Sequence, residues 1–430
     1  MQMYPEARSR TTVHVALLIQ ERAVALMFGA YLCFVFIGSR PYQNLLIADS
    51  SGETDVFRQL AVFGLCILAA LVFLVERHRS RVSILMLLYT LVFCGFLLLS
   101  SRWSQFPEFV IRRAGMVTLV SVSLCVLIDY LYRTRLLLPT LVAVLGVVLL
   151  IDVLSMVFLY SQSIDHDGRW KGIHIHKNVA GGIMAVSAIT FAWLTTLCQR
   201  RQSVFTALAT IVSLVFLVLT ASKTSLALFA GCSALMFLLL TLRLLHSLGG
   251  LKALIIVLAA VVLVIATVDM PRALIGLLKL FYGDVTLTGR IWIWDFVLAK
   301  HNEAFWLGHG FGSFWGMGAD TPAIREDLPS VREFGQAHNG YLDILVQTGV
   351  VGLCFFGVML LYVVGLGIKR VVSDVSDWKK VALCVNIILF VMLHNLLEST
   401  WLSVLSVEWT VFIIAAFYLV LDRPQSTNAS

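Results

Sequence analysis

Charged residues are scarce in this chain of 430 residues. Asp, Glu, Lys and Arg together make up 13% of it, hydrophobic residues make up 59%, and the mean hydropathy is +0.91. A soluble domain carries about 25% charged residues, so a chain this apolar could not cover its surface with polar groups. The composition excludes a soluble enzyme and a disordered chain. It indicates a polytopic membrane protein, and its predicted fold is all-α.

The spacing that cysteines need for a metal site is also missing. The eight cysteines lie in or at the end of apolar runs, and no CxxC motif occurs. We therefore expect buried free thiols, no disulfide framework and no zinc site. A metal site from His166, His174 and His176 is a weak alternative, because an i, i+2 pair of histidines is a weak signal. The net charge of +7 is spread over short loops, which argues against nucleic acid as a partner.

Apolar runs divide the chain into membrane spans. About twenty apolar residues cross a bilayer, and this length predicts about twelve spans in a single integral membrane domain, 1–430. The loop 269–337, between the ninth and tenth spans, is predicted to contain short interfacial helices at 273–282 and 291–299. The predicted spans are 23–38, 58–75, 82–100, 114–132, 136–160, 179–197, 203–221, 224–242, 251–268, 339–367, 381–398 and 403–421.

The placement of Lys and Arg predicts the orientation of the bundle. If the N-terminus lies in the cytoplasm, the inner segments hold more of these residues than the short outer loops, as the positive-inside rule requires. Both termini are then cytoplasmic, and loop 269–337 faces outward.

Several cations nevertheless remain on the outer side, where the topology disfavours them. A bound anion would explain them, and phosphate fits the geometry of arginine best. The outer cations that we consider are Arg112, Arg113, Arg169, Lys171, Lys177, Lys223 and Arg290.

Two short polar motifs come directly before predicted spans. His176, Lys177 and Asn178 precede span 179–197, where a helix N-terminus favours anions. The alternative is a simple helix cap with Asn178 as the N-cap residue. Lys223, within Ser222–Ser225, is a candidate for phosphate binding or a lysine that only snorkels to the membrane surface.

Two further motifs lie in the long loop. Arg290 follows Gly289, and its planar guanidinium could clamp a diphosphate or simply start an interfacial helix at the surface. The run Gly308–Gly316 alternates glycine with aromatic residues. It lacks the GK[ST] of a phosphate-binding loop and the βαβ setting of a dinucleotide site. We interpret it as a flexible loop near a sugar-binding surface, or as a plain turn.

The segment Ala337–Leu345 starts span 339–367 and contains the best candidate for a general base. His338 lies at a helix N-terminus, where the dipole disfavours a charged imidazole, and a neutral imidazole can accept a proton. A histidine that only caps its helix is the alternative. Asp343 is a weak candidate for orienting the ring, because an i, i+5 spacing is poor helical geometry.

Taken together, the motifs resemble the O-antigen ligase and polymerase superfamily of membrane glycosyltransferases. The resemblance covers most of residues 165–355, whereas the first half of the chain is generic membrane helix. The residues that carry it are His176–Asn178, Ser222–Ser225, Gly289–Trp294, the glycine-aromatic run, His338-Asn339 and the later Gly349-Val350-Val351-Gly352.

The resemblance implies an activity at the periplasmic face of a bacterial inner membrane. There, an acceptor hydroxyl would attack the reducing-end sugar of an undecaprenyl-diphosphate-linked glycan, and the lipid diphosphate would leave. The acceptor is another lipid-linked repeat unit in polymerases and lipid A–core in ligases. Neither a metal nor another cofactor is expected. Membrane lipids and other polysaccharide-assembly proteins are the further expected partners.

The resemblance also implies roles for individual residues. His338 would be the general base and Arg290 the catalytic diphosphate ligand. We favour polymerisation of surface or exopolysaccharide repeat units, with O-antigen ligation as the alternative. A lipid-linked-glycan transporter is the alternative from another class, although the predicted spans carry few charges. The expected substrate-binding residues are Arg112, Arg113, Arg169, His176, Lys177, Asn178, Lys223 and Asn339.

Overall fold

A computed structural model of the protein describes residues 5–42, 56–76, 84–247, 290–315, 335–372 and 377–421. These residues contain no β-strand, only an isolated bridge between Ile164 and Trp170, so the predicted all-α class is confirmed. The longer helices in these ranges are α1 (Pro5–Ile37), α2 (Val56–Glu76), α3 (Ile84–Leu99), α4 (Pro107–Arg133), α5 (Leu137–Phe158), α6 (Lys177–Leu197), α7 (Arg200–Leu219), α8 (Lys223–Ser247), α9 (Arg290–Glu303), α10 (Gly340–Val372), α11 (Trp378–His394) and α12 (Val407–Leu421).

The helices agree with the predicted membrane spans. Within the described ranges, eight helices are long and apolar enough to cross a membrane, and shorter apolar helices accompany them. The chain is therefore a multi-pass membrane protein. Each predicted span coincides with a helix except 251–268, which lies outside the described residues, as does the helix predicted at 273–282. The helix predicted at 291–299 is α9.

Three helices form the inner part of the bundle. Most residues of helices α6, α11 and α12 are buried, whereas α2 and α7 expose apolar side chains that suit a lipid environment. Small residues let the inner helices approach closely. A Cβ atom added at Gly181 of α6 would lie 2.9 Å from Cβ of Ser222, directly before α8.

Helix α10 is interrupted at Gly349, whose φ of 66° and ψ of −173° are not helical. At the break, backbone amide and carbonyl groups of α10 form hydrogen bonds with the segment that follows α9 instead of within the helix. The carbonyls of Val346 and Gln347 accept from His309 and Gly310 at 3.0 and 2.9 Å, and the Val350 amide donates to Phe305 at 3.0 Å. Lipid cannot satisfy such groups, so a docked segment must.

The described part of the glycine-aromatic run, residues 308–315, is thus packed against its neighbours, in contrast to the expected flexible loop. Gly308, Gly310 and Gly312 all have positive φ, and a Cβ atom at each would lie within 3.0 Å of a neighbouring atom. The Gly312 amide donates to the Gln347 side chain at 2.6 Å. The run therefore fixes the end of the α9 segment against α10.

Gly349→Ala should lower the thermal unfolding temperature of the purified protein by several degrees. A Cβ atom there would lie 2.2 Å from the Trp306 carbonyl oxygen, at a φ that only glycine adopts easily, and such strain costs about 1–3 kcal/mol. Gly357→Ala, in the same helix with nothing within 4 Å of the added Cβ, is the control and should leave Tm unchanged or slightly raised. Equal Tm values for the two variants would contradict the packing described.

Candidate active site

Four separate segments bring polar side chains together at one end of the bundle. Asn178 lies in the first turn of α6, Arg290 begins α9, His338 precedes α10, and Glu398 lies in the linker after α11. The Glu398 carboxylate accepts from His338 Nδ1 at 3.2 Å, from Arg290 Nη2 at 3.0 Å and from Asn178 Nδ2 at 3.4 Å. We call these four residues the Glu398 centre.

Arg290 is buried, with only 7% of its surface exposed. The interpretation as a surface arginine that only starts an interfacial helix is therefore wrong. One terminal nitrogen, Nη2, binds Glu398, whereas Nη1 is buried and has no hydrogen-bond partner in the described structure. A buried donor without a partner is costly. Nη1 is therefore well suited to a bound anion.

The contacts of His338 Nδ1 bear on the tautomer of the ring. The Glu398 carboxylate can only accept, so we infer that Nδ1 carries the proton; the Gln336 side-chain amide also lies 3.4 Å from this atom. In the neutral ring the lone pair then lies on Nε2, the atom that can act as a base. The backbone of His338 has a φ of 49°, which is uncommon for a residue other than glycine and is often seen at functional sites.

The backbone around His338 is held on both sides. The Asp343 carboxylate accepts from the Ala337 amide at 3.1 Å and from the Trp315 indole at 2.6 Å. Asp343 thus fixes the segment that carries His338, whereas the His338 ring donates to Glu398. The Asn339 side-chain oxygen caps α10 by accepting from the Tyr341 amide at 3.0 Å. The predicted contact of Asn339 with substrate therefore falls to its side-chain nitrogen, and it stays a prediction.

Sequence reasoning missed Glu398, because residues 381–398 were predicted as one span. Helix α11 in fact ends at His394, and the Asn395 side chain folds the chain into a linker. Its oxygen accepts from the Thr400 and Trp401 amides, each at 2.9 Å. A glutamate at the end of an apolar run could have served as the signal, since a charge at membrane depth needs a partner.

The charge of Glu398 follows from its surroundings. Burial alone would raise the pKa of this carboxyl group, but the hydrogen bond from His338 and the nearby Arg290 and His394 outweigh burial. The pKa of Glu398 consequently lies below its usual value near 4.5. The carboxylate is ionised at neutral pH and balances the buried guanidinium.

The motif before α6 contributes both a cap and a site residue. His176 Nδ1 accepts from the Asn178 amide at 3.2 Å, so His176 and not Asn178 is the N-cap residue. Burial and the neighbouring Lys177 lower the pKa of His176. The Asn178 side chain is left to bridge the Glu398 carboxylate and the Ser222 hydroxyl, which donates to Asn178 Oδ1 at 3.0 Å.

A buried hydrogen-bonded pair, His174 and Asp152, holds this motif against the bundle. Asp152 of α5 accepts from the His174 ring and from the Ile173 amide, each at 3.0 Å. Gly172 allows this approach, because a Cβ atom there would lie 2.0 Å from Asp152 Oδ1. The pair therefore sets where the chain enters α6.

The other predicted cations differ in their surroundings. Lys177 lies 3.5 Å from carboxylate oxygens of Asp165 and Asp167, and Arg169 lies 3.9 Å from Asp167. Lys223 is exposed at the start of α8. No described contact joins these three cations to the Glu398 centre, and their roles in substrate binding stay predictions.

The paired arginines of α4 also differ from each other. Arg113 donates to the carbonyl oxygens of Gly312 and Trp315, the latter at 2.8 Å, and so anchors the glycine-aromatic run. Arg112 is exposed and lies over the Phe109 ring at 5.2 Å. Contact of either arginine with substrate stays a prediction.

Residues 207–357, about a third of the chain, match the sequence model of a family described as O-antigen ligase. The matched segment includes Lys223, Arg290 and His338 and ends before Glu398. No curated protein matches the chain.

The match confirms the predicted resemblance to the O-antigen ligase and polymerase superfamily over that segment. The fold and the match together define a class: multi-pass helical membrane proteins that contain a segment similar to O-antigen ligases. The family indicates a membrane protein that ligates or polymerises glycans.

Arg113→Ala should destabilise the protein, because it removes the donor that holds the carbonyls of Gly312 and Trp315. Loss of charge-assisted hydrogen bonds costs about 1.5–3 kcal/mol each, so we expect a fall in Tm of several degrees. Arg112→Ala, the exposed neighbour, is the control and should change Tm by a degree or less. Equal effects of the two substitutions would refute the anchoring role.

Glu398→Gln should lower stability most above pH 4.5. Breaking a buried ion pair costs about 3–5 kcal/mol. Because the pKa of Glu398 is lowered on folding, the stability that its charge contributes is present above the unfolded pKa and is lost as the pH falls through the folded value. The gap in Tm between wild type and variant should thus shrink as the pH falls below 4.5. A gap that stays constant over this range would contradict the assignment of an ionised Glu398.

Proposed function

We propose that the protein is a glycosyltransferase that transfers a glycan from an undecaprenyl-diphosphate carrier to an acceptor hydroxyl. The observation that carries this proposal is the shared contact with Glu398, which places the His338 ring and the buried Arg290 guanidinium beside the same carboxylate, at 3.2 and 3.0 Å. A general base and an anion ligand are the two groups that such a transfer needs.

The reaction balances without any further reagent. The acceptor oxygen forms a bond to the anomeric carbon, and the bond from that carbon to the diphosphate oxygen breaks. His338 Nε2 takes the hydroxyl proton, and the diphosphate leaves with the bonding electrons. Arg290 Nη1 donates to the departing oxygen, where negative charge grows. The diphosphate is already a good leaving group, so the proposed mechanism uses neither a metal nor a nucleotide sugar.

Other polar residues would extend the anion site. Asn178 already contacts Glu398 and would orient sugar or phosphate oxygens. The exposed Lys223 and Arg112 are accessible to a large anionic substrate. Arg113, Arg169, His176, Lys177 and Asn339 complete the proposed substrate-binding set, with the contacts described above.

The distribution of charge supports a periplasmic site in a bacterial inner membrane. The Glu398 centre lies where α6 and α10 begin and α11 ends. At the opposite ends of these helices, Lys379 donates to the Thr196 carbonyl at 2.9 Å, and Arg243 lies over the Trp378 ring at 4.6 Å. The positive-inside rule assigns that basic end, together with both termini, to the cytoplasm.

Within this class we propose polymerisation of exopolysaccharide repeat units, with ligation to lipid A–core as the alternative. Two incubations of purified protein separate them. Growth of longer lipid-linked chains from donor alone indicates a polymerase, whereas product that forms only when lipid A–core is added indicates a ligase. A transporter would form neither product while still moving the lipid-linked donor between leaflets.

His338→Asn should lower kcat for glycan transfer at least about 100-fold, because general-base catalysis contributes roughly 10²–10⁴. Arg290→Lys should lower kcat and raise KM for the donor, since lysine lacks the planar fork. The control is His166→Asn, an exposed residue in the turn before α6, which should keep wild-type kinetics. Wild-type activity in the His338 variant would refute the proposal.

A further inference from the structure

The mechanism above gives Glu398 no role of its own, yet the fold fixes this residue tightly. Only 9% of Glu398 is exposed. Its amide donates to the His394 carbonyl at 2.9 Å, and its carbonyl accepts from the Gly340 amide at 3.0 Å. A Cβ atom at Gly340 would lie 2.2 Å from Asn395 Oδ1. The linker and the start of α10 are therefore built against each other around Glu398.

The carboxylate is the one side chain that the three other members of the centre share. Oε1 accepts from Arg290 and Asn178, and Oε2 accepts from His338. A carboxylate is an acceptor at both oxygens, so it can satisfy all three donors at once. A carboxamide of the same shape would instead turn an NH₂ group toward a donor. The chemistry of the centre thus requires the charged form.

The first consequence concerns the base. A hydrogen bond to Glu398 keeps the proton on Nδ1 of His338 and leaves the lone pair on Nε2. When Nε2 takes a proton, the adjacent negative charge stabilises the imidazolium that results. An orienting carboxylate has this effect wherever a histidine acts as a base.

The second consequence concerns the anion ligand. Glu398 holds Nη2 of Arg290, and this contact fixes the plane of the guanidinium. Nη1, which is buried without a partner in the described structure, is then held in one direction before any ligand binds. Preorganised donors of this kind stabilise developing charge without having to reorganise.

We propose that Glu398 is a positioning residue for glycosyl transfer, which sets the tautomer of His338 and aims Nη1 of Arg290 at the lipid diphosphate. This inference rests on the proposed function. It assigns the linker after α11 to the active site, although that linker lies outside the segment that matches the O-antigen ligase family.

The test compares kcat, donor KM and the pH–rate profile of wild type, Glu398→Gln and Glu398→Asp, with undecaprenyl-diphosphate oligosaccharide as donor. The Gln variant should lose about 100-fold or more in kcat. Its acid limb should move to lower pH, because loss of the negative charge favours the neutral imidazole. The other titratable or charged groups that face Glu398 are Arg290, His394 and His176, and they are unchanged in both variants.

The Asp variant and a surface control separate positioning from simple stabilisation. Glu398→Asp keeps the charge but shortens the side chain, so it should regain about tenfold of the lost kcat, stay about tenfold below wild type and keep the wild-type acid limb. Glu303→Gln removes a carboxylate from the exposed end of α9, where it pairs with Lys300 at 2.7 Å. This control should leave kcat and the pH profile unchanged.

Two results would overturn the inference. One is a folded Gln variant with wild-type kcat and acid limb, and the other is an Asp variant no better than Gln. If the Glu398→Gln variant does not fold, the Glu398→Asp variant alone tests the inference. A kcat per folded molecule equal to that of wild type would exclude positioning, and a roughly tenfold fall in kcat would support it. Failure of the proposed function looks different, since wild type would then form no product or the His338→Asn variant would be fully active.

Discussion

The site depends on one buried carboxylate that three segments of the chain approach. Glu398 neutralises the Arg290 guanidinium, accepts from His338 and contacts Asn178. A buried guanidinium without such a partner would be strongly unfavourable. The helices that begin or end here therefore surround a buried pair of opposite charges, Arg290 and Glu398, in a bundle whose described part contains few other buried charges.

The membrane imposes the second constraint. Backbone groups in a bilayer must be satisfied by protein, so the interruption of α10 at Gly349 requires the segment after α9 to dock there. That docking links two parts of the site, because Trp315 at the end of the docked segment donates to Asp343, and Asp343 holds the amide before His338. The glycine-aromatic run thus supports the position of the base.

Much of the fold could be predicted from the sequence, because the thickness of a bilayer and the hydropathy of the chain decide where helices form. The predicted spans coincide with helices wherever the structure describes them. The centre was harder to predict. His338 and Asn178 stood out as polar residues next to apolar spans, and Arg290 stood out as a cation in the long outer loop, but nothing in a linear pattern shows that they share one partner.

The misses have specific physical causes. Glu398 was hidden inside a predicted span, because the end of α11 is set by the side-chain contacts of Asn395 and not by hydropathy. The sequence pattern did not show that Arg113 anchors the docked glycine-aromatic run by donating to two of its carbonyls, and its contact with substrate stays a prediction. Asp343 was considered for the imidazole and instead holds the backbone before it. In each case a tertiary contact decided the role of a residue whose chemical character was evident from sequence.

The most direct measurement of the central claim is a structure of the protein with a lipid-diphosphate oligosaccharide bound. The account predicts a diphosphate oxygen at about 3 Å from Nη1 of Arg290, with Nε2 of His338 facing the space beside the anomeric carbon and Glu398 still bound to both residues. A diphosphate bound away from Arg290, or at the opposite end of the bundle, would contradict it.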